Sequence, residues 1–499
     1  MKSCLTNLAK HPYLLALLGG AFIPLSLAPF NAWPLSILGL LMLVIALQSL
    51  SAKKSLFAGW LFGVGLFGVG TSWVYVSIHT YGAAPIALAV FLTAFFAAGL
   101  ALLPMLQCYL YVRFLKHRAL GLLLGFPALW VLGEWFRSWF LTGFPWLYVG
   151  YAHEQTWLSG WAPVLGVYGV SFMVALSAVL IYLFIRLSMQ VRFILSIIMF
   201  IPWLGGLLLE QVNWTTRSNT PLSVSLIQGN IAQEMKWNPD HMADSVKKYQ
   251  QLTQDQWSHD IIVWPEAAIP FWVDEVTPFL DSFDAYGIKN DAIFISGIPY
   301  REHTDEGNRY HNSVIALGNG SGLYHKERLV PFGEYVPLED LLRGLIKFFD
   351  LPMSNFTPGN NKTPFLIMDH TIHIAPFICY EVVYPDFVNA TLPEADLLLT
   401  ISNDTWFGAS FGPFQHLQIA QMRALENGRY LLRATNNGIS AIVDEKGNLV
   451  KTSSQFKEEV LNGEVYVMKG NTPFGKTGST PILVLCGVLI VVTRLFKRK

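Results

Sequence analysis

Ile372-His373-Ile374-Ala375-Pro376-Phe377-Ile378-Cys379-Tyr380-Glu381 is an apolar run that stops at a thiol, followed by a phenol and a carboxylate. Its length and its isoleucines predict a buried strand over Ile372–Cys379 rather than a helix. Chemistry in α/β folds gathers at strand ends, because a rigid strand delivers a side chain to a pocket that loops can shape. Similar runs recur on both sides of it: Leu222–Gln228, Ile261–Trp264, Ala292–Gly297, Ser313–Leu317, Leu397–Ser402, Tyr430–Thr435 and Ile439–Val443. Polar or amphipathic stretches, such as Asp240–Trp257 and Phe414–Asn427, separate several of them. Strands alternating with helices imply a layered α/β domain. Asp444-Glu445-Lys446-Gly447 has the Gly-bearing chemistry of a hairpin turn.

That domain takes in residues 213–475, long enough to bury a core of its own. The flanks differ in kind. Residues 1–212 and 476–499 are dominated by apolar runs, and the whole chain is 53% hydrophobic and only 14% charged. Soluble domains are about a quarter charged, so lipid must solvate part of this one. Stretches close to the length a spanning helix needs lie near 11–29, 34–50, 55–77, 84–112, 119–136, 162–185, 193–210 and 478–496. The expected architecture is therefore an N-terminal bundle of about seven transmembrane helices (1–212), an extramembrane domain (213–475) and a C-terminal transmembrane anchor (476–499). Glycines within one span, Gly63, Gly65, Gly68 and Gly70, suit close helix packing in lipid.

Lysine and arginine set the orientation. Thirteen of them fall in the two termini and the short segments on one side, among them Lys10, Lys53, Lys54, Arg113, Lys116, Arg118, Arg186 and Arg192. The short loops opposite hold only Arg137. The basic side is cytoplasmic, which puts both termini there and residues 213–475 outside. Ser26-Leu27-Ala28 loosely resembles a signal-peptide cleavage site, but Pro29 follows it and removal of the span would spoil the charge alternation; an uncleaved anchor is expected. A net charge of zero and the lack of a basic stripe with interleaved aromatics exclude nucleic acid as a partner. No His-Glu-x-x-His, paired-Cys or Gly-rich nucleotide loop occurs, so no metal or other cofactor is expected.

Of four cysteines, Cys4 is at the cytoplasmic end, Cys108 and Cys486 lie in expected spans, and only Cys379 belongs to the outer domain. A thiol without a disulfide partner outside the cytosol is either a buried core residue or a reactive one. Two further segments share the strand-end pattern: Val263-Trp264-Pro265-Glu266, and Tyr324-His325-Lys326-Glu327-Arg328-Leu329-Val330-Pro331-Phe332-Gly333-Glu334-Tyr335. Singly, a glutamate after proline or a lysine among charges reads as surface.

Together these segments resemble the nitrilase, or carbon–nitrogen hydrolase, superfamily, whose triad is Glu, Lys and Cys in that chain order; here the order is Glu266, Lys326, Cys379. The likeness narrows to the apolipoprotein N-acyltransferase family and covers essentially the whole chain. It is carried by Glu134-Trp135-Phe136-Arg137 with Thr142-Gly143-Phe144-Pro145-Trp146, by Gln228-Gly229-Asn230 with Lys236-Trp237, and by Leu329–Pro337. Ser402-Asn403-Asp404-Thr405-Trp406-Phe407-Gly408, Gln415-His416 and Asn436-Asn437-Gly438 complete it. The resemblance implies an α-β-β-α sandwich outside a bacterial inner membrane, facing the periplasm. It also implies a phospholipid acyl donor and a diacylglyceryl-cysteine lipoprotein acceptor.

Under that resemblance Cys379 is the nucleophile that holds the acyl chain, Glu266 the base, and Lys326 the cation that steadies the oxyanion. Glu334 and Glu381 would support them, with Trp237, Asn312 and Tyr380 lining the pocket or holding the site. His325 and His416 are expected in polar structural roles. The segment 341–353, unusually apolar for a loop outside the membrane, reads as an interfacial lid or arm, or else as a buried core helix. Two other readings remain: a membrane-tethered amidase acting on a small soluble amide, and a lipid carrier or transporter. The near absence of charges inside the spans, Glu134 apart, disfavours transport.

Overall fold

Ile261, Ile262, Val263 and Trp264 point alternately into two different buried clusters, the mark of a strand covered on both faces. The computed structural model describes residues 9–118, 120–305, 307–335, 355–392 and 394–496. The expected lid at 341–353 and Cys4 lie outside them. Twelve strands form one continuous hydrogen-bonded ribbon. In chain order they are β1 Leu222–Gln228, β2 Ile261–Val263, β3 Ile293–Thr304, β4 Gly307–Gly318, β5 Gly320–His325, β6 Leu366–Met368, β7 Ile372–Ile378, β8 Leu397–Ser402, β9 Leu431–Thr435, β10 Ala441–Val443, β11 Leu449–Thr452 and β12 Glu459–Val465. Their spatial order is β11-β10-β9-β8-β7-β6-β5-β4-β3-β2-β1-β12. β1–β2–β3 and β7–β8–β9 are parallel triplets.

The ribbon's two halves pack face to face: Leu226, Val263 and Ile295 share one buried cluster with Ile378, Leu399 and Leu432. Outside the first half, Ile262, Trp264 and Phe294 pack against Tyr249 and Phe283 of the helices Pro239–Thr253 and Thr277–Asn290. Outside the second, Phe377, Leu398 and Leu431 pack against Leu417 and Ala420 of the helix Gly412–Asn427. The layers run α-β-β-α, as expected. β3 and β4 extend well beyond their apolar stretches through Arg301, Glu302 and His303, because a long hairpin is held by its ladder rather than by burial.

The N-terminal region is helical at every expected span, though not always as one spanning rod. By length and composition three helices among the described residues are long and apolar enough to cross a membrane, Ile86–Leu115, Trp157–Arg186 and Gln190–Glu210. Ala52–Gly70 with Val74–Tyr81 makes a fourth only if its 60° bend is taken as one span. Pro12–Ser26, Pro34–Ser49 and Thr480–Leu495 are shorter apolar helices.

The helix Gly412–Asn427 is buried on both faces, only Phe414 being less than fully covered. One side meets the sheet and the other meets the bundle. There the helix Ala162–Arg186 breaks at Gly166 (φ 68°), and the Val167 N–H donates to Glu426 Oε1 at 2.6 Å. Arg423 lies 2.7 Å from the other oxygen of Glu426, with its guanidinium over the Tyr151 ring. Glu426→Ala would strand both a buried guanidinium and a main-chain N–H, a loss of about 3–5 kcal/mol. Thermal unfolding of the detergent-solubilised protein should show a clearly lowered midpoint, whereas Glu445→Ala, in an exposed pair with Arg217, should change it little.

Candidate active site

β7 ends at Ile378, and at Cys379 the backbone enters the left-handed region (φ 52°), which a side-chain-bearing residue seldom adopts. The chain turns at once into the short helical turn Cys379–Val383. Glu381, completely buried, holds this bend. Its Oε2 accepts from the Ile378 N–H (2.7 Å), and its Oε1 from the N–H groups of Glu327 (2.7 Å) and Arg328 (3.1 Å) and from the Tyr324 hydroxyl (2.9 Å). One carboxylate thereby staples the cysteine bend to the residues that follow Lys326. Burial pushes its carboxyl up to about 7 against the pull of those donors.

His416 grips the same bend from the other side, donating from Nε2 to the Cys379 carbonyl at 3.1 Å. Arg433 and Asp404 fix the imidazole, and Arg433 holds Asp404 well below the usual carboxylate range in spite of burial. His416 therefore positions the main chain of Cys379. His325 stacks on His311 and bonds Ser313. Both histidines have the structural roles expected of them.

The remaining residues converge from adjacent strands. Lys326 follows β5, and its N–H donates to the Asn312 carbonyl on β4, so the two side chains are neighbours across the ladder. Lys326 Nζ lies 2.8 Å from Glu334 Oε1 and 3.7 Å from Glu266 Oε1. Asn312 Nδ2 bridges the same two carboxylates, at 2.8 Å from Glu266 and 3.0 Å from Glu334, and its Oδ1 has no partner among the described residues. Glu266 Oε2 accepts from the Asn403 N–H (2.7 Å), just past β8, and Glu334 Oε2 from the Val330 N–H (2.8 Å). Burial would strip the proton from Lys326, but Glu334 and Glu266 outweigh it and hold the ammonium charged, above the ordinary lysine range.

Cys379 is partly exposed and in no disulfide. Its thiol is pushed up to about 12, by burial first and then by the charges of Glu266 and Asp404; Lys326 and a hydrogen bond with Ser402 act the other way. A thiol so placed stays protonated until a base takes its proton. Tyr380, next in the chain, turns to the bundle: its hydroxyl donates to the Gly143 carbonyl (3.3 Å) and its ring stacks on Trp146. Tyr384 donates to Thr142 O at 3.0 Å. Trp237 is half-buried, and among the described residues no hydrogen bond or ring contact joins it to Glu266, Lys326 or Cys379. Its neighbour Lys236, part of the same motif but given no role from the sequence, does reach the site: Nζ donates to the Glu266 carbonyl at 2.7 Å.

Gly297 on β3 makes the seat for Glu266. A Cβ there would stand 2.5 Å from Ala267 N and 2.7 Å from both Glu266 Cα and Pro265 O, all of it backbone. Gly297→Ala should therefore displace the Glu266 turn at a cost of about 1–3 kcal/mol. The expected result is a folded protein with activity down on the order of a hundredfold, since misplacement of about an ångström has that effect; near-normal turnover would mean that the turn yields freely.

A thiol with a carboxylate acceptor and a buried ammonium nearby can move a proton and steady a developing anion without a metal. Residues 223–468 match the family model for carbon-nitrogen hydrolases, and residues 19–180 that for the N-terminal domain of apolipoprotein N-acyltransferase. The fold and the site thus define a carbon–nitrogen hydrolase-type domain joined to a helical bundle. Apolipoprotein N-acyltransferases from Pseudomonas paraeruginosa (48% identical over 97% of this chain and 96% of that one), Pseudomonas syringae (46%, 95% of each) and Coxiella burnetii (40%, 96% and 99%) align nearly end to end. The chain belongs to the apolipoprotein N-acyltransferase family. A solved carbon–nitrogen hydrolase from Helicobacter pylori covers 56% of this chain and 95% of its own at 15% identity and a TM-score of 0.35, too distant to carry any inference about the site.

Proposed function

We propose that this enzyme moves an acyl chain from a phospholipid to the N-terminal amine of a diacylglyceryl-cysteine lipoprotein, through a thioester on Cys379. Glu266 takes the thiol proton as sulfur attacks the donor's ester carbonyl. Lys326 and a backbone N–H near Cys379 steady the oxyanion, a contribution of about 2.7–4 kcal/mol per donor. The tetrahedral adduct expels lysophospholipid, whose oxygen recovers the proton from Glu266. The lipoprotein amine then attacks the thioester, Glu266 accepts the amine proton, and collapse to the amide returns it to sulfur. An amide is more stable than a thioester, so no nucleotide is consumed. Two substrates that use one thiol in turn give ping-pong kinetics.

The observation that carries this reading is the tie between the cysteine bend and the bundle. Tyr380 and Tyr384, one and five residues beyond Cys379, bond main-chain carbonyls at Gly143 and Thr142. An amidase for a small soluble amide has no need of that junction. Lipid as solvent is supported by helices that turn large apolar side chains outward, Phe91 at 62%, Phe193 at 72% and Leu495 at 74% exposure. The proposed placement is eight spans in a bacterial inner membrane, with both termini cytoplasmic. Residues 1–212 form the bundle, 213–475 the periplasmic catalytic domain and 476–499 the anchor. The segment 341–353 remains the proposed lid.

Intact-mass analysis of the full-length enzyme in detergent tests the reading. Incubation with phosphatidylethanolamine should add one fatty-acyl mass, and a diacylated lipopeptide with a free amine should remove it as the acylated peptide. Discharge by water alone, at the same rate without the peptide, would favour the amidase.

A further inference from the structure

Lys236 ends the short helix Gln233–Lys236, and its side chain is almost wholly buried, 4% exposed. An ammonium has three N–H donors. One goes to the Glu266 carbonyl at 2.7 Å, and the other two have no partner among the described residues. Taking a charge out of water is costly unless its surroundings answer it. The charges that face it do so in part: the Glu266 carboxylate and, when ionised, Cys379.

A count of the site's charges gives that position a purpose. Glu266 and Glu334 are two carboxylates, and Lys326 alone would leave the cluster one negative charge in excess. Asp404 is already matched by Arg433, and Glu381 is taken up by four donors on the far side of the bend. An excess negative charge opposes both the thiolate and the oxyanion, which add another. Lys236 brings the count to zero.

We infer that Lys236 is a positioning residue of the acyl-transfer site, a second cation that holds the Glu266 turn by its carbonyl and offsets the negative charge against which Cys379 must ionise. This rests on Cys379 being the acylated thiol. Burial lowers Lys236 to about 8, with Glu266 and Cys379 pulling the other way, so its charge is present at neutral pH and is lost within an accessible range.

The test is the rate at which iodoacetamide labels Cys379 in the full-length enzyme, read by peptide mass, across about pH 7–10. Lys236→Gln keeps a donor for the Glu266 carbonyl and removes the charge; Lys236→Arg keeps the charge. Loss of a nearby cation moves a thiol by about one unit or more. Labelling near pH 7 should therefore slow about tenfold in Lys236→Gln and stay near the wild-type rate in Lys236→Arg, and the gap between wild type and Lys236→Gln should close above about pH 8, where the wild type has lost the charge. Equal slowing of both, or none in Lys236→Gln, overturns the inference. The wild-type enzyme gives an arm that needs no variant to fold: above about pH 8 its labelling should rise by less than tenfold per pH unit, as Lys236 loses its proton. An unbroken tenfold rise through that range is the contrary result. Acyl-enzyme formation in the same preparation separates the claims, since its absence in wild type sinks the thioester reading whatever Lys236 does.

Discussion

Cys379→Ala should leave a folded enzyme that gains no acyl mass from phospholipid and yields no N-acylated peptide. The loss of turnover should be on the order of ten-thousand-fold or more, because removal of a nucleophile disables the groups that act with it. Folding should survive, since Cys379 is partly exposed and its bend is held by Glu381 and His416 rather than by its sulfur. A double variant with Glu266→Gln should be hardly worse than Cys379→Ala alone, because both substitutions disable one step. An acyl increment that persists in Cys379→Ala would move the nucleophile elsewhere.

Lys326→Met should be both inactive and unstable, which sets it apart from the cysteine variant. Lys326 is 1% exposed and is the cation between Glu334 and Glu266. Without it two buried carboxylates face each other across Asn312, whose single amide cannot neutralise them. Breaking a buried pair in this way costs about 3–5 kcal/mol. Thermal unfolding in detergent should show a large drop in midpoint, and Lys326→Met/Glu334→Gln should recover part of the stability without recovering acyl transfer. Unfolding at the wild-type temperature would show that the carboxylates are solvated in the working enzyme.

Much of the catalytic half was legible in the residues. The β1 and β8 boundaries, Leu222–Gln228 and Leu397–Ser402, coincide with the strand-like runs of the sequence, since strands covered on both faces are mostly apolar along their length. Glu266, Lys326, Glu334, Asn312 and Cys379 are all candidates on the sequence, and the first four meet within hydrogen-bonding or ion-pair distance. Trp237 stands apart from them, and Tyr380 turns to the bundle instead.

Other features could not be read in advance. Gly412–Asn427, with Gln415, His416, Gln418, Gln421, Arg423 and Glu426, has the polarity of a surface helix, yet it is buried because its polar face answers polar groups of the bundle. The break at Gly166 is invisible in an apolar stretch that scans as one span. Lys236 enters the sequence reading only as part of the Lys236-Trp237 motif, without a role, for burial of a single ammonium leaves no periodic trace.

Apolar periodicity by itself determined which stretches are strands and which are long apolar helices, and the family likeness of short motifs marked the strand ends that carry Glu266, Lys326 and Cys379; these are properties of neighbours in the chain. Only the tertiary structure decided that Glu381 holds the cysteine bend, that His416 takes its carbonyl, and that Lys236 reaches the Glu266 carbonyl. Each is a contact between side chains or main-chain atoms brought together by the two-layer sheet, at distances over which hydrogen bonds and charges act, and sequence separation carries no record of those distances.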